Sequence, residues 1–134
     1  YNKCLLEMQC CTMFDYIRLL DTRIQRMQGS DGAKVIKMNF GMAIMALKAG
    51  FPIRRSGWNG KGLMVFKQVP AHIDSDIIPK MQSIPQSAKD LILKGKGFID
   101  YTSQCLIYNE NTGRADSWVP SISDVFAEDW EIVE

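Results

Sequence analysis

Histidine is nearly missing from this chain: His72 is the single imidazole among 134 residues. Any acid–base pair or triad built on imidazole would have to run through that one residue. His72 follows Pro70 and reads as a surface or loop residue, with Asp74 and Asp76 beside it as solvated carboxylates. No serine sits in a Gly-x-Ser-x-Gly elbow, no Cys-x-x-Cys pair occurs, and no His/Cys spacing suits zinc. The expectation is no catalytic residue, no metal and no cofactor. The cysteines Cys4, Cys10, Cys11 and Cys105 suit no simple disulfide framework, since adjacent helical residues such as Cys10 and Cys11 point about 100° apart. Reduced thiols in a cytosolic protein are expected. No apolar run approaches the ~20 residues needed to span a bilayer, and no signal-peptide pattern follows Tyr1. An excess of one charge is lacking too. At a formal net charge of +1 no strong field recruits DNA or RNA, which leaves room only for a local basic site facing a small phosphate ligand.

What the chain does have is a hydrophobic fraction of 46% over a length that suits one domain. The clearest pattern is at the N-terminus, where Leu6, Cys10, Met13, Ile17, Leu20, Ile24 and Met27 recur at alternating steps of four and three. This is a heptad seam on a long helix. Gln28-Gly29-Ser30-Asp31-Gly32 ends it. Two readings stand: a helix packed on its own domain, or a helix for self-association.

Asn39 is placed to cap a second helix that stops at Gly50, before Pro52. A short strand over 51–55 leads through the turn Ser56–Gly62 into a strand over Leu63–Val69. That strand is apolar on both faces, so it is buried on both sides or lies at a subunit contact. Residues 70–85 read as a covering loop, Ser87–Lys94 as a helix, and Ile99–Tyr108 as a strand returning through Asn109–Gly113 into Arg114–Val119. Ser121 or Ser123 caps a last helical turn, and Trp130–Val133 forms a closing strand. The fold class is α+β: a small, mainly antiparallel sheet with short helices, preceded by an N-terminal amphipathic helix.

The run Gly57-Trp58-Asn59-Gly60-Lys61-Gly62 is the most distinctive. It is not a phosphate-binding P-loop, because Lys61 is followed by glycine rather than serine or threonine. Its chemistry still suits a nucleotide. Glycines let backbone N–H groups approach a phosphate, Trp58 offers a face for a base, Asn59 both donates and accepts, and Arg54 and Arg55 carry forks for phosphate. The structural reading is an Asn-Gly hairpin with a core tryptophan, and the residues alone favour it. A second group, Trp118, Ser121, Ser123 and Asp124, supplies helix caps and also hydroxyls and a carboxylate suited to ribose. Trp130, between Asp129 and Glu131, reads as a core or interface anchor.

Several runs together resemble one family of phage and bacterial proteins. They are Met38-Asn39-Phe40-Gly41, Ala46-Leu47-Lys48-Ala49-Gly50, Arg55-Ser56-Gly57-Trp58-Asn59-Gly60-Lys61-Gly62, Trp118-Val119-Pro120-Ser121 with Asp124, and Ala127-Glu128-Asp129-Trp130-Glu131. The family is that of the second-type Thoeris anti-defence sponges, and the likeness runs over residues 38–134. It implies two parts: a helical extension with its linker over 1–37, and a sponge-like α+β domain over 38–134. It also implies that the chain binds a cyclic ADP-ribose-type immune signal in the host cytoplasm without cleaving it. Homo-oligomers, typically tetramers, with pockets between subunits are expected, and cyclic oligonucleotide signals are further ligands of some relatives. The ligand residues it points to are Trp58, Asn59, Trp118, Ser121 and Asp124, with Arg54 and Arg55 as weaker phosphate contacts. The chain departs from the pattern at Met42, where relatives often carry an acidic residue, and in its extension over 1–37. That extension steadies the oligomer, changes the ligand that fits, or is upstream sequence read through an early start. Two other classes of function compete: an enzyme hydrolysing the same signal through His72 or Asp124, and a structural or protein-interaction module whose working part is the seam.

Overall fold

The computed structural model describes residues 1–29 and 36–133. The helix α1, Asn2–Met27, covers the whole heptad pattern; Ser30, Asp31 and Gly32 of the expected break lie outside the described residues. The helix touches its own domain through polar groups of another face, but the seam itself is not packed on it. No residue of α1 is buried, and Leu6, Met13, Ile17 and Ile24 are each more than half exposed.

The helix α2, Phe40–Lys48, starts at Asn39, whose side-chain oxygen accepts the Met42 N–H at 3.0 Å. The cap therefore forms without an acidic residue at Met42. The same Asn39 amide donates to Asp15 of α1 at 2.7 Å, so one side chain caps one helix and holds another. Its apolar residues at i, i+1, i+4 and i+5, namely Met42, Ala43, Ala46 and Leu47, are all buried.

They cover one face of a five-stranded antiparallel sheet. Its strands are β1 (Ile53–Arg55), β2 (Leu63–Lys67), β5 (Cys105–Asn109), β6 (Arg114–Trp118) and β7 (Trp130–Ile132), in the order β6-β5-β2-β1-β7. Register places Ile53 opposite both Val65 and Ile132, and Val65 opposite Ile107. Strand alternation then puts these side chains on one face, where Ile53, Val65 and Trp130 are fully buried. Met64 and Phe66 on the opposite face are half-buried, so β2 is apolar on both sides but sealed on one.

Between β2 and β5 the structure differs from the expected loop and single long strand. Residues 71–73 form β3 and pair antiparallel with β4, Ile99–Tyr101, in a separate two-stranded sheet. The stretch Ile99–Tyr108 is thus two strands, β4 and β5, broken at residues 102–104 where the chain passes from one sheet to the other. A 3-10 turn, Ile78–Lys80, packs with α3, Gln86–Lys94; Ile78 is fully buried, and Lys89 donates to the Pro79 carbonyl at 3.1 Å. The last helix, α4, is the single turn Ile122–Val125.

Candidate functional site

The β1–β2 turn, the cap of α4 and the start of β7 meet around one arginine. Arg55 stands opposite Trp130 in the β1–β7 ladder, which aims its side chain toward α4. Its Nη1 donates to Asp124 at 2.9 Å and its Nε to Asp129 at 2.8 Å. The second oxygen of Asp129 accepts the Gly57 N–H at 2.7 Å, fastening the turn to β7. A Cβ at Gly57 would stand 2.6 Å from that oxygen, so this position has no room for a side chain. At Gly62, φ of 77° and a would-be Cβ 2.5 Å from Glu110 make the same demand at the other end of the turn.

Asp124 is the hub. One of its oxygens accepts from Arg55 and from Trp58 Nε1, the latter at 3.1 Å. The other accepts the Ser121 N–H at 2.9 Å and the Ser121 hydroxyl at 2.8 Å, while Ser121 Oγ accepts the Asp124 N–H. This is a capping box at the start of α4. The Asp124 carbonyl accepts Trp130 Nε1 at 3.0 Å. The rings of Trp58 and Trp118 meet Trp130 edge-on, with centroids 5.4 Å and 6.1 Å away.

Burial pushes the Asp124 carboxyl up, but the hydrogen bonds from Ser121, Arg55 and Trp58 outweigh it and hold it at about 2. Asp129 is likewise lowered: burial opposes, and Arg55 and the Gly57 N–H prevail. Glu131 is lowered by Lys37 first and by Arg54. Arg55 is raised by Asp129 and then Asp124. All three carboxyls are depressed in the folded chain, so below about pH 4 the unfolded chain binds more protons than the folded one. Their stabilisation is present above that pH and is lost as the pH falls toward 2. The urea midpoint should stay nearly flat from about pH 7 to 5 and then drop, with Asp124 alone accounting for about 2 kcal/mol. Unfolding curves at a series of pH values check this; a midpoint unchanged down to about pH 2.5 would contradict the network.

Beside the network, and bordered by its Arg55 and Trp58, an open groove of about 490 Å³ runs along the turn. Trp58, Gly60 and Leu63 line it, with Arg54, Arg55 and Lys61 as cations and Glu110 and Glu131 as carboxylates. Arg54 gives only Nε to Glu131, at 3.2 Å, and its side chain remains 46% exposed. Asn59 is exposed, and its amide bonds to no described residue.

The seven residues named from the sequence therefore fall into three groups. Arg55, Trp58, Ser121 and Asp124 form one bonded cluster whose polar atoms mostly serve one another. Arg54 lines the groove and Asn59 is exposed on the turn, and neither joins the cluster. Trp118, half-buried at the end of β6, packs against Trp130. Sequence reasoning missed Asp129 and Glu131 as partners of the arginines. The available signal was their place on either side of Trp130: Glu131 stands opposite Arg54 in the β1–β7 ladder, and Asp129 comes just before β7, beside Arg55.

His72 lies on β3, away from this cluster in the fold order. It is half-exposed, with Nδ1 2.6 Å from Asp100 and Nε2 3.2 Å from Asp74, and the hydrogen bond to Asp100 raises its pKa. Among the described residues no group of three or more His, Cys, Asp or Glu is arranged to hold a metal, and no helix is long and apolar enough to cross a membrane.

A family model described as a Thoeris anti-defense 2-like domain matches residues 38–133. A protein of Bacillus phage SP01 named "Thoeris anti-defense 2" is 34% identical over 102 residues, which span 72% of this chain and 96% of that relative.

Proposed function

This chain belongs to the Thoeris anti-defence 2 family, and from that premise we propose that it is a phage protein that binds and sequesters a cyclic nucleotide immune signal without cleaving it. The ligand is glycocyclic ADP-ribose or a related cyclic nucleotide, met in the cytoplasm of the infected bacterium. The working form is a homo-oligomer, a tetramer, whose pockets form between subunits.

The observation that carries this reading is the bracing of the Gly57–Gly62 turn. Ligand-facing groups, Arg54, Asn59 and the exposed part of Trp58, sit on a turn already fixed from behind by Asp124, Asp129 and Arg55. A turn ordered in advance costs little to order on binding, which is what tight capture without turnover needs. A basic edge with an aromatic face and glycine N–H groups suits phosphate and base together. Turnover would need a proton donor or a general base near the ligand. Asp124, ionised near neutrality with both oxygens occupied, is poorly suited to either role.

The test is retention and recovery. Purified protein is mixed with glycocyclic ADP-ribose, unbound ligand is filtered away, and the heated protein's release is weighed by mass spectrometry. Intact ligand in roughly stoichiometric amount upholds sequestration. A linear product instead would transfer the function to hydrolysis, with His72 between Asp100 and Asp74 as the first group to substitute. No retention and no product would refute this ligand class.

A further inference from the structure

The helix α1 lies outside the residues matched by the family and is turned the wrong way for a helix that serves only its own domain. It meets the body through polar groups: Asp15 accepts from Asn39, and the Arg18 guanidinium donates to the Lys37 carbonyl. Leu19 and Thr22 continue this side along a cleft facing Arg54 and Ile132. At 100° per residue, the centre of that side is about 180° from the centre of the heptad seam. Leu6, Met13, Ile17, Ile24 and Met27 of the seam are 51–84% exposed. A continuous apolar stripe on a helix about 39 Å long is far more than the scattered apolar residues of an ordinary surface.

We propose that α1 pairs with α1 of a second copy of this chain, parallel and in register, as a two-stranded coiled coil. The occupant follows from the residues in the seam. The steps place Cys10, Ile17 and Ile24 at a positions and Leu6, Met13 and Leu20 at d positions. β-Branched residues at a with Leu-like residues at d favour two parallel strands. The flanks select direction. In the parallel pair Tyr16 of one helix faces Asp21 of the other and Arg23 faces Gln28, with no like charges opposed. In the antiparallel pair with the seam fully overlapped, Glu7 faces Asp21 twice, which repels. The face docked on the body is centred opposite the seam, and of the a and d residues Cys10 stands at the edge of a cleft shared with Asn39 and Glu128, so both contacts form at once. The helix α1 thus supplies a subunit contact separate from any made by the family domain.

Cys10 reports the arrangement, because only in the parallel pair does it face its own copy. Cys4 and Cys11 sit at b positions, pointing away from the seam. Full-length protein with Cys4→Ser and Cys11→Ser should form a disulfide dimer under diamide, at least about tenfold faster than protein with Cys4→Ser and Cys10→Ser. Cys105 is retained in both as an internal control. Adding Ile17→Asp and Ile24→Asp should abolish the fast cross-link, while thermal unfolding of the body stays unchanged because α1 contributes no buried residue. Equal rates for Cys10 and Cys11 would overturn the proposal, as would fast cross-linking that survives the aspartates. An oligomer mass that falls with the aspartates but no Cys10 cross-link would replace it with an antiparallel pair. A monomer whose α1 binds lipid vesicles instead would also overturn it.

Discussion

Replacing Asp124 with alanine should lower folding stability by about 3–5 kcal/mol, the loss typical of breaking a buried, charge-paired network from one side. The side chain is 10% exposed, and its oxygens accept from Arg55, Trp58 and both donors of Ser121. Alanine strands the Arg55 guanidinium with Asp129 alone, frees the Trp58 indole and uncaps α4. Asp124→Asn keeps an acceptor for Arg55 but turns an amide N–H₂ toward the Ser121 N–H, so about 2 kcal/mol is expected. Ser121→Ala removes only a cap, about 1 kcal/mol. Urea unfolding followed by tryptophan fluorescence gives the ranking directly. Domains of this size hold only about 5–15 kcal/mol in total, so Asp124→Ala should shift the midpoint far enough to be unmistakable. A loss under about 1 kcal/mol, or Ser121→Ala as the worst of the three, would show that the hub does not hold the turn.

The second large effect is on ligand capture and should leave stability almost untouched. Arg54→Ala with Asn59→Ala removes one exposed guanidinium and one amide that bonds to no described residue. The ion pair lost with Arg54 is half in water and worth about 0–1 kcal/mol to folding. If both groups contact the signal, each charged or polar hydrogen bond lost costs about 1.5–3 kcal/mol of binding at the charged end and less at the neutral one. The double variant should then retain at least about tenfold less cyclic nucleotide at a fixed concentration. Trp58→Ala would not separate binding from folding, since its indole also braces Asp124. Capture equal to the parent with an unchanged urea midpoint would move the ligand away from the turn.

These two experiments divide the residues named from the sequence by what their atoms are already doing. That division was only half legible beforehand. Caps are local, so Asn39 and Ser121 were readable from a few neighbours, and so was the whole of α1 from its period. The bond between Arg55 and Asp129 joins residues 74 apart, and nothing near either one announces it. The short strand β3 escaped for a related reason. Ala71-His72-Ile73 has too little alternation to stand out, and it is a strand only because Ile99–Tyr101 comes back to meet it. The change of sheet falls on Thr102-Ser103-Gln104, a polar triplet that a reading of Ile99–Tyr108 as one strand passed over. Asp124 looked like a helix cap and a ribose contact; the structure uses it as a cap and as the anchor of a distant turn.

The return of β5 onto β2 has its own consequence. Lys67 pairs with Cys105, and Gln68 and Gln104 are joined both through the backbone, at 2.7 Å, and through their amides, also at 2.7 Å. The chain therefore leaves the main sheet and re-enters it at a single doorway, and everything in residues 69–103 hangs from that doorway. Lengthening a closed loop raises the entropic cost of closing it only logarithmically, by about 0.6 kcal/mol per doubling. The segment is thus an annex whose length weighs little on the sheet, while the tryptophans and the arginine behind the turn are held by other contacts.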